Sequence, residues 1–156
     1  TPRTTWAATR FTSLCADAGA SYTIEAHGGD VALRVSGADL AELAAHAAAG
    51  LGAVITDPAR VESGEHRIIE LDAQSPEDML VRLLNELIYL FDTQGFVCTR
   101  LAVRAATGRR LEAEAQGGHF DPARHEVRGV VKAATYHDLA VTRGAGRLHA
   151  RIVLDL

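Results

Sequence analysis

The stretch from Ser75 to Gly95 constrains the fold of this chain more than any other. Ser75-Pro76-Glu77-Asp78 supplies a capping serine, a proline for the first helical position and two acids for the first turn. Helix N-termini favour each of these. Leu80, Leu83, Leu84, Leu87, Ile88 and Phe91 then recur at helical spacing. A stripe that broad must be covered deeply by the rest of the chain. The spacing predicts a helix from Met79 to about Asp92, ended by Gly95.

The partners for that stripe are strands and a second helix. Tyr22 to Glu25 opens a strand. After Gly28-Gly29, Val31, Leu33 and Val35 alternate with Ala32 and Arg34, a period of two that buries one face. Ser36 with Asp39 offers a capping-box pattern. A helix follows with Leu40, Leu43, Ala44, Ala47, Leu51 and Val54 on one side, stopped by Asp57-Pro58. Ile68, Ile69 and Leu71 read as a short strand.

Beyond Gly95 the chain reads as strands: 96–105 and 109–116 around a Thr107-Gly108 turn, then 127–136, 139–142 and 147–154. Residues 116–124 read as a loop, and Gly144-Ala145-Gly146 as a turn. The predicted class is α+β, a mainly antiparallel or mixed sheet with two helices packed on one face. Residues 1–21, without clear period, are set apart as an N-terminal extension; 22–156 form the domain.

Composition narrows the function. The chain has 156 residues, 47% of them hydrophobic, and a net charge of −4. An acidic balance argues against stable direct binding of nucleic acid. No apolar run approaches transmembrane length, and no secretory signal is legible. The two cysteines, Cys15 and Cys98, lie far apart and suit reduced thiols in a cytoplasmic protein. There is no phosphate-binding Gly-x-x-x-x-Gly-Lys, no Gly-x-Gly-x-x-Gly, no His-Glu-x-x-His and no Gly-x-Ser-x-Gly. An enzyme of a familiar class is not indicated.

Strand parity singles out a few charges. Asp30 falls opposite the Val31, Leu33, Val35 face, and Asp155 falls opposite the Ala150, Ile152, Leu154 face. The α-carboxylate of Leu156 adjoins Asp155. Oxygen-only ligands of this kind suit calcium or magnesium and not zinc or copper; the alternative is that these acids are simply solvated. Lys132 is the only lysine among 16 basic side chains. Read as part of a strand, it points with Arg128 and Tyr136, away from Val127, Val131 and Ala133. A lysine offers a compact, flexible point charge that arginine does not.

Five stretches in order resemble the archease family. They are Glu25-Ala26-His27-Gly28-Gly29-Asp30-Val31, the helix segment Leu84-Asn85-Glu86-Leu87-Ile88-Tyr89-Leu90-Phe91-Asp92-Thr93-Gln94-Gly95, Phe120-Asp121-Pro122-Ala123-Arg124-His125, Val131-Lys132-Ala133-Ala134-Thr135-Tyr136-His137, and the terminal Ile152-Val153-Leu154-Asp155-Leu156. The resemblance implies a non-catalytic protein cofactor of RtcB-type RNA ligases, which join RNA ends in tRNA splicing and RNA repair. Such a protein promotes guanylylation and repeated turnover of the ligase. The resemblance also implies a divalent-ion site, calcium with magnesium as the alternative, formed here by Asp30, Asp155 and Leu156. Lys132 and His27 would act on the partner, while GTP and the catalytic manganese would belong to the ligase.

Two departures stand out. Gly28-Gly29 replaces the family's Thr-Ala ahead of Asp30, and Gly118-His119 replaces a loop containing an acid. The other reading of function is a chaperone-like or scaffolding module without metal chemistry. A third, a divergent metal-dependent hydrolase, lacks an evident general base.

Overall fold

The computed structural model describes residues 22–156, with the His27 side chain excepted. The extension expected at 1–21, with Cys15, lies outside the described residues. In chain order the elements are β1 (Tyr22–His27), β2 (Asp30–Gly37), α1 (Leu40–Ile55), a 3-10 turn (Pro58–Arg60) and β3 (Glu65–Asp72). They continue with α2 (Pro76–Gln94), β4 (Phe96–Ala106), β5 (Arg110–His119), β6 (Ala133–Ala134), β7 (Thr142–Gly144) and β8 (Arg147–Asp155).

The fold is α+β, and every strand pairing is antiparallel. The strands divide into two sheets. One has the order β1-β2-β8-β6, with β7 also on β8; the other has the order β3-β5-β4. The first sheet turns Ile24, Val31, Leu33, Val35, Ala150, Ile152 and Leu154 to the core, the faces that alternation predicts.

Helix α1 lies between the sheets, and two glycines let it do so. A Cβ on Gly50 would stand 2.5 Å from Leu33 Cδ1 in the first sheet, and one on Gly52 would stand 2.6 Å from the Cys98 carbonyl oxygen in the second. Every residue from Ala47 to Ile55 except Ala49 is buried. A helix apolar nearly all round is covered nearly all round. Its cap is Asp39, which accepts from Glu42 N–H at 2.9 Å, while Glu42 accepts from Ala38 N–H at 2.8 Å. The cap therefore sits three residues beyond Ser36.

Helix α2 has the caps its sequence predicts and extends past the expected Met79 to about Asp92 at both ends, to Pro76–Gln94. Ser75 accepts from Asp78 N–H at 3.1 Å, and Gly95 closes the helix in the left-handed region at φ 69°. Leu80, Leu83, Leu84 and Leu87 are buried in the core.

Three strand readings change. β5 runs through Gly117-Gly118 to His119, where a loop is predicted. The carbonyls of Val97 and Glu62 approach these two glycines so closely that no Cβ would fit, so the glycines are there for packing and not for a turn. The strand predicted over 127–136 shrinks to Ala133–Ala134. Residues 126–132 are held by single long-range bonds: Arg128 N–H to Ile55 O at 2.9 Å, Thr56 Oγ1 to Glu126 O at 2.5 Å, and Lys132 N–H to Asp155 O at 2.7 Å. Without a ladder there is no alternation, so the parity argument does not reach Lys132. The strand predicted over 139–142 lies instead at Thr142–Gly144, joined to β8 by Ala145-Gly146, both at positive φ.

Candidate functional site

The order β1-β2-β8-β6 brings four distant stretches of sequence to one sheet end. His27 pairs with Asp30 across a two-residue turn. Only the first central residue, Gly28, has positive φ, at 61°, the backbone pattern of a type II′ hairpin turn. Val31 pairs with Leu154. Asp30 and Asp155 are the next residues on β2 and β8, so continuing this register by one step sets them opposite each other, on the face away from that of Val31 and Leu154. Directly opposed side chains of an antiparallel pair lie roughly 4.5–5.5 Å apart at Cβ. On the other flank of β8, Ala133 pairs with Asp155. The row across the sheet end is thus His27, Asp30, Asp155, Ala133, with Leu156 and Lys132 just beyond it.

Asp155 and Lys132 are exposed, and Asp30 and Leu156 are half-buried. Among the described residues, neither carboxylate nor the Lys132 ammonium has an ion-pair partner. Like-charged carboxylates set opposite each other on neighbouring strands repel, and a cation between them would offset that repulsion. They offer hard oxygen donors only, the set that calcium or magnesium accepts. Among the described residues no three His, Cys, Asp or Glu side chains form a metal-holding cluster.

The Lys132 segment is fixed from two sides, by residues that periodicity does not reveal. Asn85 on α2 donates from Nδ2 to Ala134 O at 3.3 Å and accepts Ala134 N–H on Oδ1 at 2.8 Å. The helix thereby takes the place of a strand on the outer edge of β6. Tyr136 Oη donates to Asp78 Oδ1 at 2.5 Å. The second Asp78 oxygen accepts from Gln74 N–H at 2.9 Å and Arg82 Nε at 2.8 Å. These bonds, the Tyr136 hydroxyl first and then the Gln74 amide and the Arg82 guanidinium, hold the Asp78 carboxyl down at about 2. Upstream, the Arg128 guanidinium lies against the C-terminal end of α1, 3.5 Å from Ala53 O. A helix C-terminus favours such a cation.

The Phe120–His125 stretch proves to be a self-closed turn. Asp121 O accepts from both Arg124 N–H and His125 N–H. The buried His125 ring accepts Asp121 N–H on Nδ1 at 2.8 Å, and its Nε2 lies 3.2 Å from Arg60 O. Its partners account for it structurally. Cys98 is a buried thiol, pushed up to about 12 by desolvation, and so is not poised as a nucleophile. Among the described residues no helix is long and apolar enough to cross a membrane.

The class these features define is a small α+β domain, two antiparallel sheets around two helices, with a paired-carboxylate sheet end. The Archease protein family model matches residues 22–156. The archease of Thermococcus gammatolerans is 37% identical over 134 residues, which cover 83% of this chain and 94% of the relative. That of Sulfurisphaera tokodaii is 31% identical over 131 residues, with the same coverage. The solution structure of protein 1598 of Methanobacterium thermoautotrophicum superposes with a TM-score of 0.71 at 27% identity, covering 87% of this chain and 99% of the other. A crystal structure from Thermotoga maritima, described as an archease and possible chaperone, gives 0.62 at 23% identity, covering 83% and 93%; it is a likeness of fold alone. The chain belongs to the archease family.

Proposed function

We propose that this protein is a non-catalytic activator of an RtcB-type RNA ligase in the cytoplasm. It promotes guanylylation and repeated turnover of the ligase in tRNA splicing or RNA repair. In this reading it works with a divalent cation, calcium or alternatively magnesium, held by Asp30, Asp155 and the Leu156 α-carboxylate. The observation that carries the reading is the Val31–Leu154 pair of β2 and β8, which leaves Asp30 and Asp155 as the next residues on the two strands, with the Lys132 amide bonded to the Asp155 carbonyl. Two sequence-distant acids and the only lysine of the chain thus share one sheet end.

The residues divide the work. Asp30 and Asp155 would hold the cation through hard carboxylate donors. Lys132 supplies a mobile ammonium that can meet a phosphate oxygen. His27, whose backbone pairs with Asp30, is assigned to partner contact. The bound cation supplies charge that draws a partner's anionic groups to this end of the sheet. GTP and the catalytic manganese stay with the ligase. Purified ligase should gain turnover when this protein is added, and Asp30→Ala or Asp155→Ala should abolish the gain; unchanged stimulation by both variants would sink the site assignment.

A second reading, a chaperone-like or scaffolding module without metal chemistry, draws on the apolar side chains of Ile68, Tyr89 and Tyr136, exposed around one groove. Protection of a client from aggregation, unaltered by Asp30→Ala or by a chelator, would favour it over ligase activation.

A further inference from the structure

The groove between β3 and α2 has a construction that tells what fits it. Its floor and one wall are Ile68, Ile69, Glu70 and Leu71, four consecutive residues. Successive strand side chains point to opposite faces, so a groove that touches all four runs along the edge of the strand and not over one face. That edge is open. β3 is terminal in the order β3-β5-β4, and among the described residues no strand pairs with its outer side. The opposite wall is one face of α2, Arg82, Asn85, Glu86 and Tyr89, closed at one end by Tyr136.

Three of the large hydrophobic side chains that this protein exposes converge here: Ile68 at 60%, Tyr89 at 59% and Tyr136 at 56% exposure. The walls are already set. Tyr136 is fixed by its bond to Asp78, and Asn85 by its two bonds to Ala134. The charge at the rim is one-sided. Arg82 is engaged by Asp78 at 2.8 Å. Glu86 is exposed, and Glu70 meets only a 4.0 Å contact from Arg110, which leaves a surplus of negative charge.

We propose that this groove is a docking site for an extended segment of a partner protein, rich in β-branched and basic side chains, which adds as a fourth strand to β3. Backbone hydrogen bonds to the open edge supply affinity. An apolar side chain of the segment packs among Ile68, Tyr89 and Tyr136, and its cations meet Glu70 and Glu86. No proline or bulge interrupts β3, and α2 stands across the groove from it. The proposal stands apart from the cation reading, since none of its residues belongs to the Asp30–Asp155 row.

The test uses the full chain and a fluorescein-labelled synthetic peptide of alternating valine and lysine. Anisotropy should saturate, and hydrogen exchange should show new protection at residues 65–72. Tyr89→Ala and Glu86→Lys, both at exposed positions, should each weaken binding about tenfold, and a valine–glutamate peptide should bind at least as poorly. Absence of saturation, protection confined to other strands, or variants that bind like the parent would overturn the proposal. So would a dimer of the chain alone in sedimentation that Glu86→Lys dissolves, because that result assigns the groove to a second copy.

Discussion

Asn85 holds both backbone groups of Ala134, donating to its carbonyl at 3.3 Å and accepting its N–H at 2.8 Å. A side-chain amide can do this because it presents a donor and an acceptor side by side, as a neighbouring strand would. β6 is only two residues long, and β8 satisfies just one of its edges. Asn85 completes the other, which sets where Lys132 emerges.

Removing that clasp should be costly and local. Asn85→Ala leaves a buried N–H and C=O without partners, a loss of about 1–3 kcal/mol. Urea unfolding should show the lower midpoint. Hydrogen exchange should rise first at residues 132–136, ahead of β4 and β5.

The Asp78 carboxyl gives a signature in acid. It lies at about 2 in the folded protein, below its ordinary 3.8, chiefly through the Tyr136 hydroxyl, with the Gln74 amide and Arg82 adding to it. A depressed carboxyl contributes stability that is present above its unfolded value and lost as pH falls through its folded one. The contribution should be complete above about pH 4 and gone below about pH 2, and on the order of 1–2 kcal/mol after solvent screening. Asp78→Asn should therefore be less stable than the parent at neutral pH, and the gap should close between those limits in pH-resolved denaturation. A gap that stays constant down to pH 2 would mean that Asp78 contributes by shape and not by charge.

The hairpin ahead of Asp30 separates two adjacent glycines. A Cβ at Gly28 or Gly29 meets nothing within 4 Å, yet only Gly28 has positive φ. Gly28→Ala should destabilise by about 1 kcal/mol, while Gly29→Ala should be neutral or mildly stabilising. Thermal melts of the two variants check this. Equal losses would mean that the turn tolerates no side chain at all.

Lys132→Arg examines whether a point charge or any cation is needed. The Lys132 side chain is exposed, so stability should change little. Stimulation of ligase turnover should fall severalfold, because a planar guanidinium cannot reproduce a compact ammonium. Full stimulation by the arginine variant would reduce Lys132 to one positive charge among sixteen.

What could be read from sequence follows the range of the interactions involved. The caps of helix α2 were legible because Ser75, Pro76 and Gly95 act on their own neighbours, although the helix itself runs Pro76–Gln94 and not Met79 to about Asp92. The carboxylates of Asp30 and Asp155 were legible as candidates because strands alternate, and the resemblance joined them to Leu156, Lys132 and His27. Residues 126–132 were not legible: valines that look like a strand are tied instead to Ile55 and Asp155, bonds that no local pattern records. The Asn85–Ala134 clasp was hidden for the same reason, although both residues lie in stretches that carried the family resemblance. Gly117-Gly118 misled in the other direction. A Gly-Gly pair usually marks a turn, but here it admits the Val97 and Glu62 carbonyls against a continuous strand.

Calorimetric titration of calcium into the metal-stripped protein measures whether the Asp30–Asp155 row holds a divalent cation. One ion should bind per chain. The paired Asp30→Asn, Asp155→Asn variant, which keeps the shapes and removes both charges, should show no binding heat while melting at or above the parent's temperature. Calcium binding of undiminished affinity in that variant, or none in the parent, would mean that these carboxylates hold no ion.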